Sequence, residues 1–95
     1  VNLDPLIHAP TRLAIVSLLA AVDEAEFAFV RDQLEISDSV LSKHIGTLEA
    51  AHYVEVRKGH VGKRPRTWLK LTQHGHVAFT SYVDTLRGIL NRPLG

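Results

Sequence analysis

With 95 residues, 45% of them hydrophobic and 22% charged, the chain is long enough for one packed core and too short for two. It has no cysteine, which excludes disulfides, thiolate metal ligation and thiol redox chemistry together. The net charge of +1 hides an uneven distribution: Val1 to Glu55 carries nine acids and three bases, and Val56 to Gly95 one acid and eight bases.

Asp4 followed by Pro5 is an N-cap with proline at the first helical position, which predicts a short turn through Leu6 and Ile7. Pro10 restarts the chain. Leu13, Ala14, Val16, Leu18, Leu19 and Val22 then crowd one side of a helix ending near Val22, with Thr11, Arg12 and Ser17 as its polar members. The mainly apolar run from Leu13 to Val22 is about ten residues and is interrupted by Ser17, too short to cross a bilayer. No basic segment followed by an apolar run and a small-residue cleavage site opens the sequence, so a cytoplasmic location is expected.

Asp23-Glu24-Ala25 reads as a connector, and Phe27, Val30 and Leu34 as a second, shorter helix. Ser37-Asp38-Ser39 offers oxygen-bearing side chains to cap a third helix that runs to about Ala51. Leu41, Ile45 and Leu48 form its apolar stripe, Ser39, Ser42, Lys43, Gly46 and Thr47 point away, and His44 lies at the edge of the stripe.

Tyr53 to Arg57 and Thr67 to Leu71 alternate as strands, and Gly59 to Pro65 between them reads as a solvent-exposed loop. Thr72 supplies the cap of a last helix, along which Val77, Ala78, Phe79, Tyr82, Val83, Leu86, Ile89 and Leu90 keep helical spacing. Arg57, Lys58, Lys63, Arg64, Arg66 and Lys70 fall within fourteen residues that hold no acid. Such a cluster predicts a polyanionic partner.

The order helix, helix, helix, basic hairpin, helix resembles the winged helix-turn-helix, and is most similar to small regulators of the MarR and ArsR type from about Leu3 to Leu90. Arg12 to Leu19 resembles their first core helix, Leu41 to Glu49 their recognition helix, and Leu71-Thr72-Gln73-His74-Gly75 the motif that closes their wing. The sequence departs from the family at Gly46, where a long polar residue is usual, and at His74-Gly75, which leaves a capping box incomplete. The resemblance implies a mainly α domain with a small β-hairpin: a three-helix core, a wing and a C-terminal helix. It would span 1–95 as one unit, with the helix-turn-helix at about 27–51, the wing at about 53–71 and a dimerisation helix at about 72–91.

What the resemblance implies for function is regulation of transcription by a homodimer on double-stranded DNA with a pseudo-palindromic operator. Ser39, Val40, Ser42, Lys43, His44 and Thr47 would face the major groove, with hydroxyls and Lys43 reaching phosphates or base edges and Val40 a thymine methyl. Lys58, Lys63, Arg64 and Arg66 of the wing would meet phosphate or enter the minor groove. Leu3, Leu6, Ile7, Phe79, Tyr82, Val83, Leu86, Ile89 and Leu90 would form the dimer face.

No nucleophile with its base, paired carboxylates or glycine-rich phosphate loop has usable spacing, so no catalysis is expected. Neither a cofactor nor a metal is expected: His74 and His76 are turned apart at i, i+2 on a helix, and no second carboxylate–histidine pair sits at i, i+3 or i+4 in the final helix. Two alternatives stand beside this reading. One is a winged helix used only for protein contacts, which the six bases argue against; the other is an ArsR-type repressor that responds to a metal or ligand.

Overall fold

The computed structural model describes residues 2–92. Helix α1 (Pro5–His8) is capped by Asp4, whose carboxylate accepts from the Leu6 amide at 2.9 Å and the Ile7 amide at 3.4 Å. Pro5 fits there because the first turn of a helix leaves its N–H groups without partners. Helix α2 (Pro10–Ala20) starts on a second proline and buries Ile15, Val16 and Leu19.

Ala25 and Glu26, expected within or just after a connector, form strand β1 (Ala25–Glu26). Helix α3 (Phe27–Leu34) follows at once and ends on Glu35, which takes a left-handed φ of 53°. Helix α4 (Asp38–Ala50) is capped by Ser37, whose Oγ accepts from the Val40 amide at 3.2 Å. It buries Leu41, Ile45 and Leu48, the stripe expected from the spacing. His52 then takes a left-handed φ of 63° and turns the chain into the sheet.

Strands β2 (Val54–Val61) and β3 (Arg64–Leu71) pair antiparallel from Val54 opposite Leu71 to Val61 opposite Arg64. The segment expected as a loop from Gly59 to Pro65 is therefore mostly strand, and the turn shrinks to Gly62 and Lys63. Gly62 carries the positive φ, 62°, at the first turn position, where a two-residue hairpin favours glycine. Gly59 and Pro65 misled the expectation for separate reasons. A Cβ on Gly59 would fall 3.0 Å from the Trp68 ring, so this glycine admits an aromatic neighbour and does not break the strand. Pro65 lies beyond the part of β3 that β1 covers, where the strand has an open edge and a missing N–H is tolerated.

The sheet order is β1-β3-β2, with Ala25 opposite Leu69 and Glu26 opposite Trp68. Val54, Leu69 and Leu71 on its inner face pack with Ile15, Val16, Leu19, Val30, Leu41, Ile45 and Leu48 into one core. Helix α5 (Gln73–Leu90) begins under Thr72, whose Oγ1 accepts from the Gly75 amide at 2.9 Å and donates to the His52 carbonyl at 2.6 Å. One hydroxyl thus caps α5 and ties it to the end of α4.

Tyr53 donates its phenolic O–H to the Asp4 carboxylate, joining the N-terminal turn to the root of the hairpin. That bond, with burial and the carboxylate's charge behind it, pushes the Tyr53 phenol up to about 12. Because the folded chain then holds the proton more tightly than the unfolded one, this contribution is whole below the unfolded tyrosine value near 10 and fades as pH rises toward 12. Tyr53→Phe is expected to flatten the loss of stability between pH 10 and about 12 in urea titrations. An unchanged alkaline slope in the variant would refute the assignment.

Candidate nucleic-acid interface

With Leu41, Ile45 and Leu48 turned inward, α4 leaves Ser39, Val40, Ser42, Lys43, Gly46, Glu49 and Ala50 exposed. A Cβ on Gly46 would meet nothing within 4 Å, so the middle of this face is bare backbone. The ionisable groups of the helix besides His44 are Asp38, Lys43 and Glu49, so α4 brings little positive charge of its own. Asp38 is held at 2.8 Å by Arg31, which also bonds Asp32 at 2.9 Å. The hydrogen bonds to Asp32 and then Asp38 raise the Arg31 pKa, and they brace the turn between α3 and α4.

Three of the expected contact residues on α4 are partly engaged within the chain. The Ser39 hydroxyl lies 3.2 Å from that of Ser37, and Thr47 Oγ1 donates to the Lys43 carbonyl at 3.2 Å. His44 is half-buried, and its Nδ1 lies 3.3 Å from Nη1 of Arg12. Burial first, then the charges of Arg12 and Lys43, hold the His44 imidazolium below the usual histidine range.

The hairpin register sorts the wing into two faces. Val54, Val56, Lys58 and His60 share one with Pro65, Thr67, Leu69 and Leu71. This face covers the core, and farther out Lys58 and Thr67 share a groove with Ser42, Gly46 and Glu49 of α4. Glu55, Arg57, Gly59 and Val61 share the other face with Arg64, Arg66, Trp68 and Lys70, and Glu55 stands opposite Lys70.

On that outer face Arg57 stacks over Trp68 with its guanidinium carbon 4.1 Å from the ring centre, and it bonds Glu24 at 2.9 Å. Arg66 pairs with Glu26 at 3.3 Å. The acid-free stretch of sequence thus acquires two carboxylates, Glu26 of β1 and Glu24 just before it. Lys58, Lys63, Arg64 and Lys70 form no ion pair among the described residues. Ser42 and Lys58 come together around the groove, Lys43 is exposed on α4 outside its lining, Lys63 and Arg64 stand at the tip, and Arg66 is withdrawn into a pair.

The expected dimer face needs correction at two positions. Ile7 is wholly buried and Tyr82 is 4% exposed within a single protomer, and the Tyr82 hydroxyl lies 2.9 Å from His8 Nδ1. Their apolar surface is already covered by the chain's own packing, so neither is free to meet a second copy. Phe79 packs partly against the core. Leu3, Leu6, Val83, Leu86 and Ile89 are half-buried, and Leu90 is 72% exposed. Val77, placed on that helix but not in the expected dimer face, is 62% exposed.

The approach of Arg12 to His44 is what sequence reasoning missed, because nothing at position 12 announces a partner at position 44. No group of three or more His, Asp or Glu side chains that could hold a metal occurs among the described residues. His74 packs on Tyr53 with ring centres 5.1 Å apart. No described helix is long and apolar enough to cross a membrane.

Residues 11–90 match the family model for a winged helix DNA-binding domain. The chain belongs to that family. An uncharacterized protein of Methanocaldococcus jannaschii is 31% identical over 78 residues, covering 82% of this chain and 85% of that one. The structure of a transcriptional regulator homologue from Pyrococcus horikoshii superposes with a TM-score of 0.87 at 25% identity, over 93% of this chain and 87% of that one. A homodimeric winged helix-turn-helix domain from Mycobacterium bovis, described as a possible ArsR-family regulator, shares the fold with a TM-score of 0.76 at 18% identity, over 95% and 80% of the two chains. The winged helix domain is thus a DNA-binding module of the transcriptional-regulator kind, not an enzyme.

Proposed function

We propose that this winged helix domain, a single unit over 1–95, acts in the cytoplasm as a homodimer that regulates transcription from a pseudo-palindromic operator. The observation that carries the proposal is the adjacency of two unlike surfaces. The exposed face of α4 is small and polar, and the wing beside it holds cations with no carboxylate partner among the described residues. Ser39, Val40, Ser42 and Lys43 meet base edges or flanking phosphates, and Lys58, Lys63 and Arg64 release counterions from the backbone. His44, Thr47 and Arg66 take part only as far as their contacts to Arg12, the Lys43 carbonyl and Glu26 allow. An interaction module without DNA binding would leave those cations unused.

The dimer is supported by the exposure of Val77 and Leu90 beside half-buried Leu3, Leu6, Val83, Leu86 and Ile89. The homodimeric state of the Mycobacterium bovis domain supports it as well. Two-fold symmetry requires half-sites about one turn of DNA, ~10 bp, apart or a multiple of it. Selection of bound duplexes from a random library is expected to enrich a motif with that dyad. A motif without dyad symmetry, together with a monomer by equilibrium sedimentation, would overturn the dimer; failure to enrich any motif would overturn sequence-specific recognition.

A further inference from the structure

The hydrogen bonds around Arg12 connect three helices that the DNA-binding reading treats separately. Arg12 lies in the first turn of α2. Its Nε donates to the Leu6 carbonyl of α1 at 2.6 Å, and its Nη1 lies 3.3 Å from Nδ1 of His44 on α4. A guanidinium has five N–H donors and no acceptor. The hydrogen bond therefore requires a lone pair on His44 Nδ1, and a neutral imidazole with its lone pair there carries its proton on Nε2. We propose that Arg12 is a positioning residue for DNA binding, fixing His44 as the Nε2–H tautomer so that the ring donates an uncharged hydrogen bond to a DNA phosphate oxygen.

The proposal rests on the reading of α4 as the helix that enters the groove. His44 stands between the buried Leu41 and Ile45 stripe and the exposed Lys43, on the flank of α4 and not at its centre. A flank position on a helix lying in a groove faces the groove wall, where phosphates run, and such contacts set register and not sequence. The second bond of Arg12, to the Leu6 carbonyl, keeps the guanidinium from swinging out to solvent. Its positive charge behind the ring polarises the Nε2–H bond and makes it a better donor. The same charge, with burial and Lys43, favours the neutral ring, so the contact needs no proton uptake. A plain tie between α2 and α4 would fix the ring equally well but would leave Nε2–H without a role in DNA affinity.

The test begins with imidazole 15N spectra of the full chain, which read the tautomer directly. The wild type is expected to show His44 protonated on Nε2 and bare on Nδ1, and Arg12→Met to show both tautomers. Binding is then measured on the duplex enriched from the random library and on a scrambled duplex. His44→Ala should weaken binding about tenfold on both duplexes, the scale of one hydrogen bond to a charged group; Arg12→Met should weaken it less, by the fraction of the Nε2–H tautomer it loses, and the double variant should bind no more weakly than His44→Ala. The salt slope should not change, because an uncharged donor releases no counterion, whereas removal of a cation would reduce it by about 0.9. His44→Gln, whose amide N–H occupies the place of Nε2–H, should keep most of the affinity; it also serves if Arg12→Met folds poorly.

An Nδ1–H tautomer in the wild type, additive effects in the double variant, or a slope change in His44→Ala would overturn the proposal. So would full affinity in His44→Ala while Lys63 and Arg64 variants bind weakly, and in that case the DNA-binding reading itself survives. If none of these variants binds more weakly than wild type, both fall together.

Discussion

Gly75→Ala is expected to lower the unfolding free energy by about 3 kcal/mol, at the upper end of what overpacking costs, and the Tm by roughly 12–24 °C for a domain of this size. Gly75 is buried at the start of α5, where a Cβ would stand 2.3 Å from the Tyr53 carbonyl and 2.8 Å from Leu71 Cδ1. A leucine methyl can turn aside. The carbonyl is less free, because it already accepts from the Thr72 amide at 3.0 Å. Relief must come from moving α5 away from the hairpin root, which would also strain the Thr72 cap. Intrinsic helix propensity acts the other way, favouring alanine by about 1 kcal/mol. Gly46→Ala isolates that effect, since a Cβ there meets nothing within 4 Å, and it should raise stability by up to about 1 kcal/mol. Urea and thermal denaturation of the two variants should move in opposite directions. A Gly75→Ala protein as stable as wild type would show that α5 does not depend on the close approach.

The second large effect is expected in DNA binding, where the wing tip and α4 should fail in different ways. Lys63→Ala with Arg64→Ala removes two cations that form no ion pair among the described residues. Affinity should fall by a similar factor on the selected duplex and on random DNA, and the salt slope by about 0.9 for each phosphate left without its cation. Should Arg64 enter the minor groove, affinity will fall further on A·T-rich flanks, whose narrow groove concentrates negative potential. Arg66→Ala should change affinity less than either tip residue, because Glu26 already occupies its guanidinium at 3.3 Å. Ser42→Ala or Lys43→Ala should instead remove discrimination between duplexes, at roughly 1–3 kcal/mol for each base edge no longer read. Binding isotherms across a salt series would resolve the two patterns. Tip variants with undiminished affinity on both duplexes would show that the hairpin does not touch DNA.

Much of the fold was legible because its helices bury one face each, and Leu41, Ile45 and Leu48 declare that face by spacing alone. Caps were legible for the same local reason: Asp4, Ser37 and Thr72 each accept from an amide two or three residues ahead. What escaped was set at long range. β1 is two residues, too short for any period, and exists because β3 offers it an edge. The partners of Arg57 and Arg66 are Glu24, just before β1, and Glu26 within it, so a window around the wing counted the two arginines as free. Ile7 and Tyr82 have the same apolar character as the exposed Leu90, and periodicity does not tell which apolar residue the chain covers for itself. The exposed side of α4 was legible as a stripe, whereas the Arg12 contact to His44 depends on how α2 crosses it.

The wing is a three-stranded sheet only at its root, where β1 meets Leu69 and Trp68. From Lys58 opposite Thr67 out to Val61 opposite Arg64 it continues as a two-stranded ribbon with Pro65 in one of its strands. A bare ribbon of this kind has few apolar neighbours to hold it and opens locally without the core opening. Amide hydrogens near the tip should therefore exchange far sooner than those of Leu69 and Leu71, at a rate insensitive to core variants. Lys63 and Arg64 ride on that ribbon, so in the free protein their charges are expected to sweep a volume and not to hold one position. Docking must then arrest that motion, and part of the gain from each phosphate contact is offset by the entropy given up when the ribbon closes.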